Sequence, residues 1–153
     1  MSFDLSVIPN KNIIVAVTGG IAAYKSAILV RRLKDAGFTI RVVMTKGAQA
    51  FVTPLTFQAL SGNSVHTELL NPEAEAGMGH IELARWADLI LVAPASCDTL
   101  AKFAAGLADD LLSTLYLATK APVWVAPAMN QQMWAAKATQ RNLNTLVEDG
   151  VHV

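Results

Sequence analysis

Leu89-Ile90-Leu91-Val92-Ala93, followed by Pro94-Ala95-Ser96-Cys97-Asp98-Thr99, is the stretch that decides the fold. Five apolar residues in succession, ending at a cluster of small and hydroxyl-bearing residues, mark a short strand buried on both faces. Such a strand belongs at the centre of a parallel sheet covered by helices on each side. The residues after Pro94 form a strand-to-helix junction.

Moving outward toward the amino terminus, His80 to Ala87 reads as a helix, preceded by a Gly/Pro/Glu-rich loop at 71–79. Ala48 to Leu60 is mixed and helical, interrupted at Pro54. Thr39 to Met44 is β-branched and apolar, a strand. The helix before it starts at Ile21 and carries Ile28, Leu29 and Leu33 at helical spacing. Arg31, Arg32 and Lys34 lie on its other face, and Gly37 caps it. Ile13 to Val17 is a second buried strand, closed by the turn Thr18-Gly19-Gly20. Toward the carboxyl terminus, Thr99 to Ala118 is helical with a break near Gly106. Val123-Trp124-Val125 is a strand, and Gln131 to Asp149 is helical with one interruption. Gly150 caps that helix, and Val151-His152-Val153 begins a strand-like run. Strands alternating with helices imply right-handed crossovers and a doubly wound, Rossmann- or flavodoxin-like α/β domain. The sequence stops where an element starts, so residues 1–153 are expected to be one domain of a longer protein.

The 153 residues are 53% hydrophobic, with a mean hydropathy of +0.39. A doubly covered sheet explains part of that surplus and burial between subunits the rest, so an oligomer is expected. Pro54, Pro122 and Pro127 interrupt the uncharged runs well short of the ~20 apolar residues of a membrane span. The start, with Asp4 and Pro9, has neither the basic nor the apolar region of a signal peptide. A single cysteine, Cys97, excludes an internal disulfide and a cysteine-cluster zinc site, and suits a reducing cytoplasm. Twelve basic residues balance twelve acidic ones without a basic run, which argues against nucleic acid as partner.

In doubly wound folds ligands sit beyond the carboxyl ends of the strands, and three strand ends here carry candidate residues. Thr18-Gly19-Gly20-Ile21-Ala22-Ala23-Tyr24-Lys25 offers close backbone approach and the free N–H groups of a helix start to an anion. It lacks the third glycine of a dinucleotide fingerprint, and Tyr24 occupies the second glycine position of a P-loop. An ordinary strand-to-helix turn remains the alternative. At Ala93 to Thr99, helix capping accounts for Ser96, Asp98 or Thr99 taken singly. At Ala126 to Trp134, Asn130 is an N-cap or a ligand-binding amide, and Met129, Met133 and Trp134 are core or pocket. His80 opens a helix, where the positive helix end disfavours the imidazolium. It is a candidate general base or a packed, capping histidine. His66 and His152 have no comparable setting, and three scattered histidines make no metal site.

Taken in order, three motifs resemble the homo-oligomeric flavin-containing cysteine decarboxylases. Gly19 to Lys25 resembles the family's FMN phosphate turn. Gly79-His80-Ile81-Glu82-Leu83 with Trp86-Ala87-Asp88 resembles its active-site histidine segment. Pro127-Ala128-Met129-Asn130 with Met133-Trp134 resembles its substrate signature. The likeness runs from about Lys11 to the end and leans to the branch that decarboxylates 4'-phosphopantothenoyl-L-cysteine in coenzyme A biosynthesis. It implies FMN held by Gly19, Gly20, Ile21, Thr45, Ser96, Cys97, Asp98, Thr99 and Ala128. It further implies Asn130 on the substrate carboxylate, Met133 shaping the pocket, His80 as catalytic base, no metal, and assembly as a homotrimer or a multiple of trimers. The family chemistry oxidises the cysteinyl thiol to a thioaldehyde, loses CO2, and returns the electrons. Many relatives have asparagine where Asp98 stands and alanine where Cys97 stands. An acceptor-only carboxylate changes the local hydrogen bonding. The family's proton-donating clamp cysteine and, in bifunctional members, a ligase domain lie further along than Val153, and Cys97 is in the wrong motif to replace that cysteine. Two other readings stand beside this one: a flavin prenyltransferase, whose family lacks the Pro127 to Asn130 pattern, and a non-catalytic flavin-binding or regulatory subunit.

Overall fold

The computed structural model describes residues 12–69 and 79–153. Four strands, β1 (Asn12–Val17), β2 (Thr39–Met44), β3 (Leu89–Ala95) and β4 (Val123–Pro127), form one sheet in the order β2-β1-β3-β4. Every pairing is parallel. This is the flavodoxin-like order, with the topological switch point between β1 and β3. Single parallel bridges continue it on both edges, Val43 to His66 and Trp124 to His152. The strand-like run at the end of the chain thus lies against β4.

Among the described residues, seven helices cover the sheet: α1 (Ala23–Asp35), α2 (Pro54–Ser61), α3 (His80–Trp86), α4 (Cys97–Ala105), α5 (Leu111–Ala118), α6 (Gln131–Ala135) and α7 (Lys137–Glu148). Alternate residues of β1 go to opposite faces. Ile13, Val15 and Val17 pack with Val30 and Leu33 of α1 and Phe57 of α2. Ile14 and Ala16 pack with Leu83 of α3, Leu100 and Phe103 of α4, Leu115 of α5 and Leu143 of α7. Both faces are therefore dry, which is why Ile13 to Val17 reads as an unbroken apolar run. Asn12 anchors the lower edge: its N–H donates to the Asp88 carboxylate at 3.0 Å and its amide to the Trp86 carbonyl at 3.2 Å. The Trp86-Ala87-Asp88 motif thereby joins the start of β3 to the start of β1.

Several boundaries differ from the sequence reading for local reasons. α1 begins at Ala23, because residues 20–22 form the turn that leaves β1. Pro54 does not interrupt a helix but starts α2, where its missing N–H costs nothing; a short 3-10 turn, Ala48–Ala50, precedes it. Gly37, Gly106 and Gly150 adopt φ of 99°, 71° and 92° at the ends of α1, α4 and α7, a left-handed geometry that glycine tolerates best. The helical stretch 131–149 breaks at Ala136. Most of the loop at 71–79, and the amino-terminal segment before Asn12, lie outside the described residues. No helix among the described residues is long and apolar enough to cross a membrane.

Candidate functional site

The carboxyl edge of the sheet brings together the turns after β1, β3 and β4. Thr18, fully buried, ties β1 to β3 there: its Oγ1 donates to the Pro94 carbonyl at 2.6 Å and accepts the Ser96 N–H at 2.8 Å. Ser26 of α1 donates to the Ala93 carbonyl at 2.6 Å, and the Ala128 N–H reaches the Ala95 carbonyl at 3.1 Å. These bonds hold the three turns in one frame. A polar residue directly after an apolar strand is the sequence signal for Thr18, whereas Ser26, inside α1, carries none.

Gly19 is where the β1 turn passes closest to the β2 turn. A Cβ there would lie 3.2 Å from the Gly47 carbonyl carbon, whereas a Cβ on Gly20 would meet nothing within 4 Å. Gly19 is therefore a packing glycine, and Gly20 borders open space. That space is a hollow of about 390 Å3 lined by Gly20, Ile21, Tyr24, Lys25, Met129 and Asn130 among others. A second, of about 260 Å3, is lined by Lys25, Ser26, Leu29, Pro94, Pro127 and Ala128. A third, of about 320 Å3, has Gly19, Thr45, Ser96, Asp98, Thr99 and Lys102 in its wall. Two hollows of about 670 and 660 Å3 are larger but lie by Gly106, Tyr116 and Gly150, and by Arg85, Asp88 and Lys120. Neither holds a predicted site residue, and strand-end position, rather than size, marks the ligand edge of this fold.

Ser96 caps α4, accepting the Thr99 N–H at 3.1 Å and donating to the Thr99 hydroxyl at 3.0 Å. Thr45 accepts the Ala48 N–H at 3.2 Å. Asn130 caps α6: its Oδ1 accepts the Met133 N–H at 2.9 Å, leaving the amide NH2 as its free donor. Cys97 is turned away from all three hollows, its Sγ 3.5 Å from the Thr139 hydroxyl of α7. Met133 is 43% exposed and lines none of them. His80, half-buried, is the first residue of α3. It lines none of these three hollows, while its neighbour Ile81 lines the hollow by Asp88 and Lys120.

Asp98 is not isolated. Lys102, one turn on, meets Asp98 at 3.6 Å and Asp109 and Asp110 at 3.4 Å each. Burial alone would lower the Lys102 pKa, but Asp110, Asp98 and Asp109 outweigh it and raise the value. Burial likewise pushes Asp110 up, yet the Ser113 hydroxyl and N–H and the Lys102 ammonium hold it below the ordinary carboxylate value. His66, buried on the β2 edge, is shifted down by burial and then by Arg41. No group of three or more metal-ligating side chains occurs among the described residues.

The fold defines a doubly wound α/β protein whose switch-point edge is framed by glycine backbone, hydroxyls and apolar side chains. A family model described as Flavoprotein matches residues 4–153. The chain belongs to the flavoprotein family. The residues fit a flavin: a glycine turn opens on empty space, and Ile21 is 79% exposed beside it, an apolar surface for a flat ring. The chain is 57% identical over 149 residues to the coenzyme A biosynthesis bifunctional protein CoaBC of Vibrio vulnificus, covering 97% of this chain and 37% of that one. It is 48% identical over 141 residues to CoaBC of Bacillus subtilis, covering 92% and 35%. It thus spans little more than a third of the length of these curated relatives. The FMN-dependent cysteine decarboxylase SpaF superposes with a TM-score of 0.87 at 35% identity, covering 95% of this chain and 84% of that one. A PPC decarboxylase variant complexed with pantothenoylaminoethenethiol superposes at 0.78 and 33%, covering 94% and 80%.

Proposed function

We propose that this domain binds FMN and decarboxylates 4'-phosphopantothenoyl-L-cysteine to 4'-phosphopantetheine in coenzyme A biosynthesis. The observation that carries the reading is the convergence of the Gly20, Ser96 and Asn130 turns on one sheet edge, in a chain 33–35% identical to structures of cysteine and PPC decarboxylases. Gly19, Gly20, Ile21, Thr45, Ser96, Asp98, Thr99 and Ala128 would hold FMN through backbone and hydroxyl groups. The thiol orientation of Cys97 limits that residue to its main chain. Bound FMN supplies a two-electron acceptor that can return the electrons within one turnover.

The chain's own residues bind, orient and move the proton. Asn130, with its carbonyl committed to capping α6, presents only N–H donors, which suits a carboxylate. His80 takes the proton released at the cysteinyl end as the thiol side is oxidised. Met133, exposed on α6 outside the three hollows, would shape the pocket from its rim. Ile21 in the turn before α1, and Tyr24 and Ile28 on it, are exposed at three- to four-residue spacing, an apolar stripe that supports burial in a homotrimer or a multiple of trimers. One free cysteine supports a cytoplasmic setting. The test is anaerobic mixing of flavin-loaded protein with phosphopantothenoylcysteine, following flavin absorbance and product mass. Bleaching with CO2 release is expected. Protein that binds FMN yet leaves this substrate unchanged, or that transfers a prenyl group to flavin instead, rules the reading out.

A further inference from the structure

We infer that Lys25 recognises the phosphate monoester at the far end of the substrate, an inference that rests on the reading above. The hollows of about 390 and 260 Å3 share Ala22, Lys25 and Ala128, so they adjoin as one groove between the first turn of α1 and the ends of β3 and β4. Lys25 is the sole charged side chain lining either part among the described residues. Every salt bridge among those residues belongs to Lys102, and the nearest ring to the Lys25 ammonium, Tyr24, is 6.0 Å from it, the outer limit of a cation–π contact. A single uncompensated cation in an otherwise uncharged groove attracts an anion. The hollow by Gly19 and Thr45 differs: Lys46 and Lys102 there face Asp98 and Asp110, so its charges cancel.

Asn130 lies on the same groove as Lys25. A ligand with a carboxylate at Asn130 and a second anion further along its chain matches that pair. The second anion is the phosphate, because a cation on the departing carboxylate would stabilise the ground state more than the transition state and slow the loss of CO2. A cation on a non-reacting phosphate contributes affinity and position without that effect, and an ammonium on a flexible stem suits a phosphate as a point charge.

The experiment compares 4'-phosphopantothenoylcysteine with unphosphorylated pantothenoylcysteine on flavin-loaded wild type, Lys25→Gln and Lys25→Arg, with flavin content read from visible absorbance. The wild type should show a KM about tenfold lower for the phosphorylated substrate, the low end for a charge-assisted contact at an exposed site. Lys25→Gln should raise that KM until the two substrates converge, with kcat and flavin content kept. Lys25→Arg should restore most of the preference. Persistence of the preference in Lys25→Gln overturns the inference, and so does loss of flavin from that variant, which places the cation on the cofactor's phosphate. A wild type that uses both substrates equally well removes this inference but leaves the proposed function standing. One that decarboxylates neither removes both.

Discussion

Thr18 and Ser96 are bonded across the switch point, the Thr18 hydroxyl accepting the Ser96 N–H at 2.8 Å while donating to Pro94 at 2.6 Å. One side chain thus fixes the glycine turn after β1 against the capped start of α4. The two turns proposed to hold the flavin are thereby kept in register by one buried side chain.

Thr18→Val keeps the shape of that side chain and removes both bonds. The Ser96 N–H loses its partner, while the Pro94 carbonyl keeps the Thr18 N–H at 3.3 Å. We expect a loss of about 1–2 kcal/mol, the cost of one unsatisfied donor, seen as a fall in Tm of roughly 2–8 °C at this chain length. Flavin should also be retained less well on gel filtration. Unchanged Tm and flavin content would show that water replaces the hydroxyl at no cost.

Gly19 and Gly20 should part company. An added methyl at Gly19 meets the Gly47 backbone at 3.2 Å, so Gly19→Ala must displace one turn, lowering both apoprotein stability and flavin retention. The Gly20 methyl meets nothing, so Gly20→Ala should leave the apoprotein melt unchanged and reduce only flavin retention, by filling space a ligand approaches. Equal melting losses in both variants would contradict the distinction.

Asp110 makes an acid-side prediction. Its pKa is held below the ordinary value of 3.8 in the folded chain, so the stability it contributes is present above that value and is lost as pH falls through the folded pKa. Asp110→Asn keeps an N-cap oxygen for Ser113. Thermal melts of both proteins should therefore differ at pH 6, with wild type higher, and the gap should close on acidification below 3.8. A gap independent of pH would assign it to packing.

β1 and β3 were legible because both faces of each are dry, leaving no polar residue to interrupt the run. The strand order was not, since alternation of strands and helices does not say which parallel neighbour lies outside β1. β4 extends past Val125 because Ala128 bonds back to Ala95, a main-chain contact that leaves no compositional mark. Linear proximity groups Cys97 with Ser96, but about 100° of helical rotation per residue sends its thiol to Thr139 instead. The Lys102 cluster needs the chain to double back after Gly106, so that Asp109 and Asp110 return beside Asp98.

His80→Asn tests the base. The substitution sits in the first turn of α3, half-buried, where asparagine is tolerated. Flavin content and Tm should hold, while substrate-dependent flavin bleaching should slow by roughly 10²–10⁴-fold, the range for a general base. A normal bleaching rate would return His80 to a packing role.

Asn130→Asp separates substrate binding from helix capping. Asn130 Oδ1 accepts the Met133 N–H at 2.9 Å, and a carboxylate oxygen accepts it equally well, so α6 keeps its cap. What changes is the group left facing the hollow beside Gly20 and Lys25: two N–H donors become a second carboxylate oxygen with a negative charge. A carboxylate-bearing substrate then meets a like charge where it had a donor. Losing a charge-assisted hydrogen bond alone costs about 1.5–3 kcal/mol, or roughly 10- to 100-fold in affinity, and the repulsion adds to it. We expect Tm within a degree or two of wild type, flavin retained, and substrate titrations of the flavin absorbance shifted at least that far. Lowering pH toward the range where the new carboxyl protonates should recover part of the binding, which a purely structural defect would not do. A large fall in Tm with the titration unmoved would make Asn130 a cap and nothing more.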